Sequence, residues 1–416
     1  MDTNDRIGLP SSPRICISGW YGADNTGDEA ILLQFIHEMV ASREAHLTIF
    51  AADPKRAYAL HARPMIVVRD HLRLFGRGTL RDLLGGRIAE QIQALRSCDL
   101  FVLGGGSLIH DRSSLSNLIH VLDEIWIAKI LGRRVATYAI GVGPLRRGSA
   151  RWLVAKTLSA CDLVTVRDHG SKRLVVEMGV PEAKVHVVAD PALLLKPVPL
   201  HPMRLPQLTD RHTSLKESSI GVFLVDDLDV DESIKKRLAL ELAKAFDALH
   251  VEFGVNFIFV PMMSQKGDDD RVIAHAVVRD MEYGSATLIV ETIFSPDEVF
   301  WLAGLFRVNV ALRLHALLFS LSQETPAVAI SHDPKISNAM EEFGLEHFCV
   351  ALDETTGARV QSKLAELLRD PQAYLTKLRA VLPERRSAAR RTFELMKSLL
   401  TDSPPIDGGQ QRIRSE

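Results

Sequence analysis

The chain has 416 residues, 46% of them hydrophobic and 25% charged, with a formal net charge of −2. That length exceeds what a single core usually serves, so two domains are expected, and the near-neutral charge argues against a nucleic-acid partner, which calls for a basic domain. No apolar run approaches the roughly eighteen residues that a spanning helix needs, and Met1-Asp2-Thr3-Asn4-Asp5-Arg6 lacks the basic flank and apolar stretch of a secretion signal.

After a polar arm over residues 1–13, read as disordered, Arg14 to Gly19 reads as a buried strand. A Gly- and Asn-rich loop follows, then a helix over 29–40 carrying Ile31, Leu32, Phe35, Ile36, Met39 and Val40 at helical spacing. Short strands are expected at 47–51 and 99–103, the latter running into Gly104-Gly105-Gly106-Ser107. A helix over 119–131, strands at 135–140 and 163–166, a helix over 171–178 and a strand at 185–188 complete a first unit, residues 14–196. Pro197, Pro199, Pro202 and Pro206 mark a linker over 197–218. A second unit, 219–400, opens with a strand at 219–224 and a helix over 233–252. Strands at 256–260, 308–312 and 328–330 follow, with helices from there to about residue 400. The Pro/Gly-rich tail 401–416 is read as disordered. Strands alternating with helices imply α/β domains with doubly wound parallel sheets, and two such halves imply a ligand cleft between them.

Four segments carry polar chemistry at strand-to-helix junctions. Gly22, Asn25, Gly27 and Asp28 lie in the first loop, where free N–H groups favour a polar ligand, although Asp28 would equally serve as a helix cap. Gly104, Gly105, Gly106 and Ser107 would let a ligand approach the backbone, or merely permit close packing. Arg167 and Asp168 sit at a strand exit, where they either hold an anion or pair with each other. Arg313 and His315 share a junction, and Lys335 follows the next strand, so the three are expected at one rim. A histidine flanked by cations suits an anionic substrate that must be protonated. Arg69, Arg73, Arg77 and Arg81 at four-residue intervals fit either a basic amphipathic stretch touching an anionic membrane surface or, as Gly76 and Gly78 favour, a solvated face, and Arg385, Arg386, Arg390 and Arg391 read as a solvated face. Cys16, Cys98, Cys161 and Cys349 form no Cys-x-x-Cys pair, which fits a reducing cytoplasm and no zinc site.

As an ordered set these motifs resemble the polysaccharide pyruvyl transferase family of the CsaB type. The resemblance rests on Gly22 to Glu29, Gly104 to Ser107, Ala139-Ile140-Gly141-Val142-Gly143-Pro144, Val166-Arg167-Asp168, Asp190-Pro191-Ala192, Arg313-Leu314-His315-Ala316 and Asp333-Pro334-Lys335. It implies a GT-B-like fold of two Rossmann-like domains facing a cleft, the first on the acceptor side and the second on the donor side. It also implies transfer of a pyruvyl group from phosphoenolpyruvate to a sugar of a glycan, closing a cyclic ketal and releasing phosphate.

By the same resemblance His315 is similar to the catalytic histidine; in the mechanism the residues permit, a nearby carboxylate, Asp28 or Asp168, would accept a hydroxyl proton. Arg167 and Lys335 would hold the donor, with Arg313 in the same motif. Gly22, Asn25, Gly27 and Gly104 to Ser107 would face the acceptor. No metal and no cofactor beyond the phosphoenolpyruvate co-substrate is implied; a lipid-linked acceptor would bring the protein to the inner face of the membrane without a spanning helix. The chain departs from the family pattern after the strand at 219–224, where Val225-Asp226-Asp227 replaces an expected Arg, and the acidic run Asp268-Asp269-Asp270 finds no counterpart. A GT-B glycosyltransferase using a nucleotide sugar and a non-catalytic glycan-binding protein of the same fold are the competing readings.

Overall fold

The computed structural model describes residues 12–39, 45–71, 87–112, 114–201, 212–228, 230–265, 267–353 and 356–401. The expected N-terminal arm up to residue 11, most of the Arg69–Arg81 stretch, the centre of the linker and the tail from residue 402 lie outside them.

In the first domain the strands are β1 (Arg14–Ser18), β2 (His46–Ala51), β3 (Ile66–Asp70), β4 (Leu100–Leu103), β5 (Gly106–Ile109), β6 (Arg134–Thr137), β7 (Ile140–Val142), β8 (Val164–Val166) and β9 (Val185–Val187). They pair in parallel as β3-β2-β1-β4-β6 and β5-β7-β8-β9. The two ladders are one twisted layer broken in the middle: β4 runs on into β5 and β6 into β7, and a bridge between Ala136 and Leu163 joins them. The strand expected over 135–140 is therefore two. Ala139 takes a positive φ of 49°, which breaks the ladder, while Thr165 Oγ accepts the freed Ala139 N–H at 2.8 Å.

The second domain orders its six parallel strands as β14-β11-β10-β15-β16-β17, the doubly wound 3-2-1-4-5-6 arrangement. They are β10 (Ser219–Phe223), β11 (Asn256–Phe259), β14 (Thr287–Ile289), β15 (Val308–Ala311), β16 (Ala327–Ser331) and β17 (Cys349–Ala351), with a small hairpin of β12 (Ser264–Gln265) and β13 (Asp268–Asp269). Both faces of this sheet are covered by helices, so β15 is buried at all four positions. Asn309, its polar member, donates Nδ2 to the Ala303 carbonyl at 2.9 Å and to Ser320 Oγ at 2.8 Å.

Fourteen helices are described: α1 (Thr26–Met39), α2 (Pro54–His61), α3 (Arg87–Ser97), α4 (Leu115–Ile130), α5 (Gly148–Ala160), α6 (His169–Glu177), α7 (His212–Ser218), α8 (Glu232–Phe253), α9 (Asp270–Asp280), α10 (Pro296–Ala303), α11 (Leu314–Ser322), α12 (Pro334–Glu342), α13 (Thr356–Arg369) and α14 (Gln372–Thr401). Two of them join the domains. Helix α1 has almost no exposed face because it is packed on both sides. Ile31, Leu32, Phe35, Ile36 and Met39 enter the first core, whereas Ala30 and Leu33 enter the second. Helix α14 does the same over a greater length: Leu378, Leu382 and Ala389 belong to the second core, and Phe393, Met396 and Leu400 to the first. The expected second domain, 219–400, thus ends in a helix shared by both.

Candidate active site

Parallel strands deliver their C-terminal ends to one edge, and the helices that follow start there. Four such helix starts meet between the domains: α1 carrying Gly27 and Asp28, α6 after Arg167 and Asp168, α11 carrying His315, and α12 carrying Lys335. Each brings the positive end of a helix dipole, which favours an anion.

His315 lies at the centre. Its imidazole packs directly against the backbone of Gly27 across the domain boundary, so closely that a Cβ there would overlap the ring. On its other side His315 Nε2 is 3.6 Å from Asp190 Oδ2, and neither atom has a hydrogen-bond partner. Asp190 is buried, which by itself raises a carboxyl. The charges of His315 and Arg167 and the Ala192 N–H at 3.0 Å outweigh that and hold it below the usual carboxylate range.

Arg167 is buried at the end of β8 and stacks over Gly141. Its guanidinium donates to Ser107 Oγ at 2.8 Å and lies 3.6 Å from both Asp168 and Asp190, contacts long enough to leave donors for a ligand. Asp28 is buried and its carboxyl is pushed up to about 6. Burial is the main cause, with Glu29 adding to it and His315, Arg167 and Lys335 opposing. Asn25 holds it by a 2.8 Å bond from Nδ2 to Oδ2, and Gly106, at φ +98°, lies against its other oxygen.

Lys335 is 28% exposed and 3.6 Å from Asp333. Its amine is depressed by burial and by neighbouring arginines, against the pull of Asp333. Asp333 itself is held down at about 2: burial would raise it, but Lys335, its backbone N–H and Arg112 prevail. Arg112 reaches Asp333 from the first domain, closing an ion pair across the cleft. His332 is pushed down to about 4 by burial and by Lys335, so it is neutral near pH 7. Its Nε2, 3.1 Å from the Leu312 carbonyl, ties the end of β16 to the end of β15. Arg167, Asp168, Asp190, Leu314, Lys335 and Glu342 line a pocket at the mouth of this cluster.

Several residues expected at the site are occupied elsewhere. Arg313 is held by carboxylates: its Nε donates to Asp270 at 2.8 Å and its Nη2 to Asp268 at 3.0 Å, and Asp270 also accepts the Met262 and Met263 N–H groups at 3.0 Å. A guanidinium so held positions the turn rather than a substrate. Asp168 caps α6, accepting Ser171 N–H at 2.6 Å and the Ser171 hydroxyl at 3.2 Å. Gly22 is clasped against the Asp53 carbonyl and donates its N–H to Glu29 at 2.5 Å. Gly104 packs on Tyr21 and Gly105 on Ile31, so these two serve packing, whereas Gly106 and Ser107 reach the cluster through Asp28 and Arg167.

Asp190 and Arg112 were not singled out as site residues from the sequence. Asp190-Pro191 carries the same Asp-Pro turn signal as Asp333-Pro334, which could have found it; Arg112 has no local signal. Among the described residues no group of three or more His, Cys, Asp and Glu side chains is placed to hold a metal.

A family model described as polysaccharide pyruvyl transferase matches residues 25–334. The amylovoran biosynthesis protein AmsJ of Erwinia amylovora is 20% identical over 343 residues, covering 80% of each chain. Among solved structures, Anabaena Alr3699/HepE in complex with UDP and glucose superposes with a TM-score of 0.61 at 14% identity, over 93% of this chain and 100% of that one. The S. aureus MnaA–UDP co-structure gives 0.63 at 11%, over 94% and 99%. At such identities the likeness shows the fold, which is GT-B with two Rossmann-like domains.

Proposed function

The chain belongs to the polysaccharide pyruvyl transferase family, and from that premise we propose that it transfers a pyruvyl group from phosphoenolpyruvate to a sugar of a glycan, closing a cyclic ketal and releasing phosphate. The observation that carries this reading is His315, set between Gly27 and Asp190 where four helix starts, Arg167 and Lys335 converge. Such a site favours a ligand with several negative charges, and phosphoenolpyruvate has a carboxylate and a phosphate.

In this mechanism Arg167 and Lys335 neutralise the donor. His315, protonated beside the Asp190 carboxylate, gives its proton to the methylene carbon, leaving an oxocarbenium-like centre at C2. One sugar hydroxyl adds there. The C2–O bond to phosphate then breaks, and a second hydroxyl closes the ring. Of the two hydroxyl protons released, one restores the imidazolium through Asp28 or Asp190 and the other leaves with phosphate. Asp28, at about 6, suits that exchange near neutral pH.

The test is phosphate release from phosphoenolpyruvate with a panel of glycan acceptors. His315→Ala is expected to lower kcat about a thousandfold, within the range of general acid–base catalysis. Retention of full transfer by that variant would remove His315 from the chemistry. Thermal stabilisation by UDP-type nucleotides and none by phosphoenolpyruvate would favour glycosyl transfer from a nucleotide sugar instead.

A further inference from the structure

Away from the cleft, the first domain turns an unusual surface outward. Helices α4 and α5 pack side by side, joined by a 2.9 Å bond from Trp126 Nε1 to Thr157 Oγ. Trp126 and Ile130, four apart on α4, are 38% and 80% exposed, and Trp152 on α5 is 63% exposed. Apolar side chains of this size normally turn inward, and three on two adjacent helices form a patch rather than a scatter.

The charge around the patch has one sign. Helix α5, Gly148–Ala160, contains Arg151 and Lys156 and no acid, and the exposed Arg146 and Arg147 precede it. Lys156 lies one turn from Trp152 on the same face. On α4 the acids are withdrawn: Glu124 is buried, and Asp123 is 13% exposed and faces His120 at 3.9 Å. At the far end Lys129 is neutralised by Asp162 at 2.9 Å, so the free cationic side is that of Arg151 and Lys156. Tryptophans with a basic rim are the composition that settles at a bilayer interface, where the indoles lie among the headgroups and the cations meet anionic lipid.

We propose that the α4–α5 face docks the protein on an anionic membrane surface. This is a contact of the first domain, independent of the chemistry in the cleft, and no helix of the described residues is long and apolar enough to cross a membrane.

The test uses the full chain with sedimenting vesicles, so it does not depend on any acceptor or donor. Binding is expected to phosphatidylcholine vesicles in which about a third of the lipid is phosphatidylglycerol, to weaken with salt, and to be near absent on phosphatidylcholine alone. Trp152→Ser and Lys156→Glu, both at exposed positions, should each weaken partitioning about tenfold without lowering the melting temperature. A chain that stays in the supernatant, or binding indifferent to both substitutions, would overturn the proposal. So would a dimer in solution that Trp152→Ser dissociates, because the patch would then serve a second copy.

Discussion

Two arginines stand at matching places in the two domains, each just beyond a central parallel strand, and they have opposite fates. Arg167, after β8, touches its carboxylates at 3.6 Å and makes one short bond, to Ser107. Arg313, after β15, is enclosed by Asp268 and Asp270. The carboxylates explain the difference. Asp168 and Asp190 already accept backbone N–H groups of the helices they cap, so Arg167 is not their main partner. Asp270 accepts two loop N–H groups but is buried and still needs a counter-charge, which Arg313 supplies. A cation at a strand end is thus available to substrate when its carboxylates stand 3.6 Å away, and is spent when they close to hydrogen-bond distance.

Substitution should split these roles. Arg313→Gln leaves Asp270 buried without its cation, so a loss of about 3–5 kcal/mol in unfolding free energy is expected, read by denaturant titration. A loss below about 1 kcal/mol would erase the contrast. Arg167→Gln should cost little stability and about a hundredfold in kcat/KM for phosphoenolpyruvate, mostly through KM, because charge-assisted bonds to the donor are lost. Equal stability losses in both variants would show that the two arginines are alike after all.

Asp28→Asn sharpens the picture from the acid side. The folded chain holds the Asp28 proton more tightly than the unfolded one, since its carboxyl is raised from 3.8 to about 6. Wild-type stability therefore falls as pH rises across that window, and above it the buried charge is a cost. At about 1.4 kcal/mol per pH unit the ceiling is about 3 kcal/mol, and with Asn25 already bonded to the carboxylate a gain of about 1–2 kcal/mol at pH 8 is expected for the variant. Activity should fall in the same protein, and the limb of the rate profile near pH 6 should disappear. A variant no more stable at pH 8 than at pH 4, relative to wild type, would contradict the raised carboxyl.

The sequence made many of the sheet strands legible, because β1, β10, β15 and β16 are short apolar runs between turn residues, whereas β3, β5, β14 and β17 are not among the expected strands. Helix starts written as Asp53-Pro54, Ser295-Pro296 and Asp333-Pro334 were readable in principle: the cap accepts from the first turn and proline fits its first position. The expected start of α1 at Glu29 was late, because Asn25 closes the loop with its side chain accepting Gly27 N–H at 3.0 Å and the helix begins at Thr26. The shared location of His315 and Lys335 was readable because each follows one of two neighbouring strands. What the sequence hid depends on distant partners: Arg313 meets carboxylates about forty residues away, and Arg112 meets Asp333 from the other domain. No local pattern reports whether a charge has been claimed from afar.

Helix α14 sets an order of events for a nascent chain. The first-domain core is incomplete until Phe393, Met396 and Leu400 reach it, and Thr392 bonds Thr165 at 3.1 Å across that contact. The ribosome makes those residues some two hundred positions after β9. The first domain therefore waits through synthesis of the entire second sheet with an apolar groove uncovered, a surface for a chaperone to shield. The last residues to complete the first core are thus among the last of the described chain to be made.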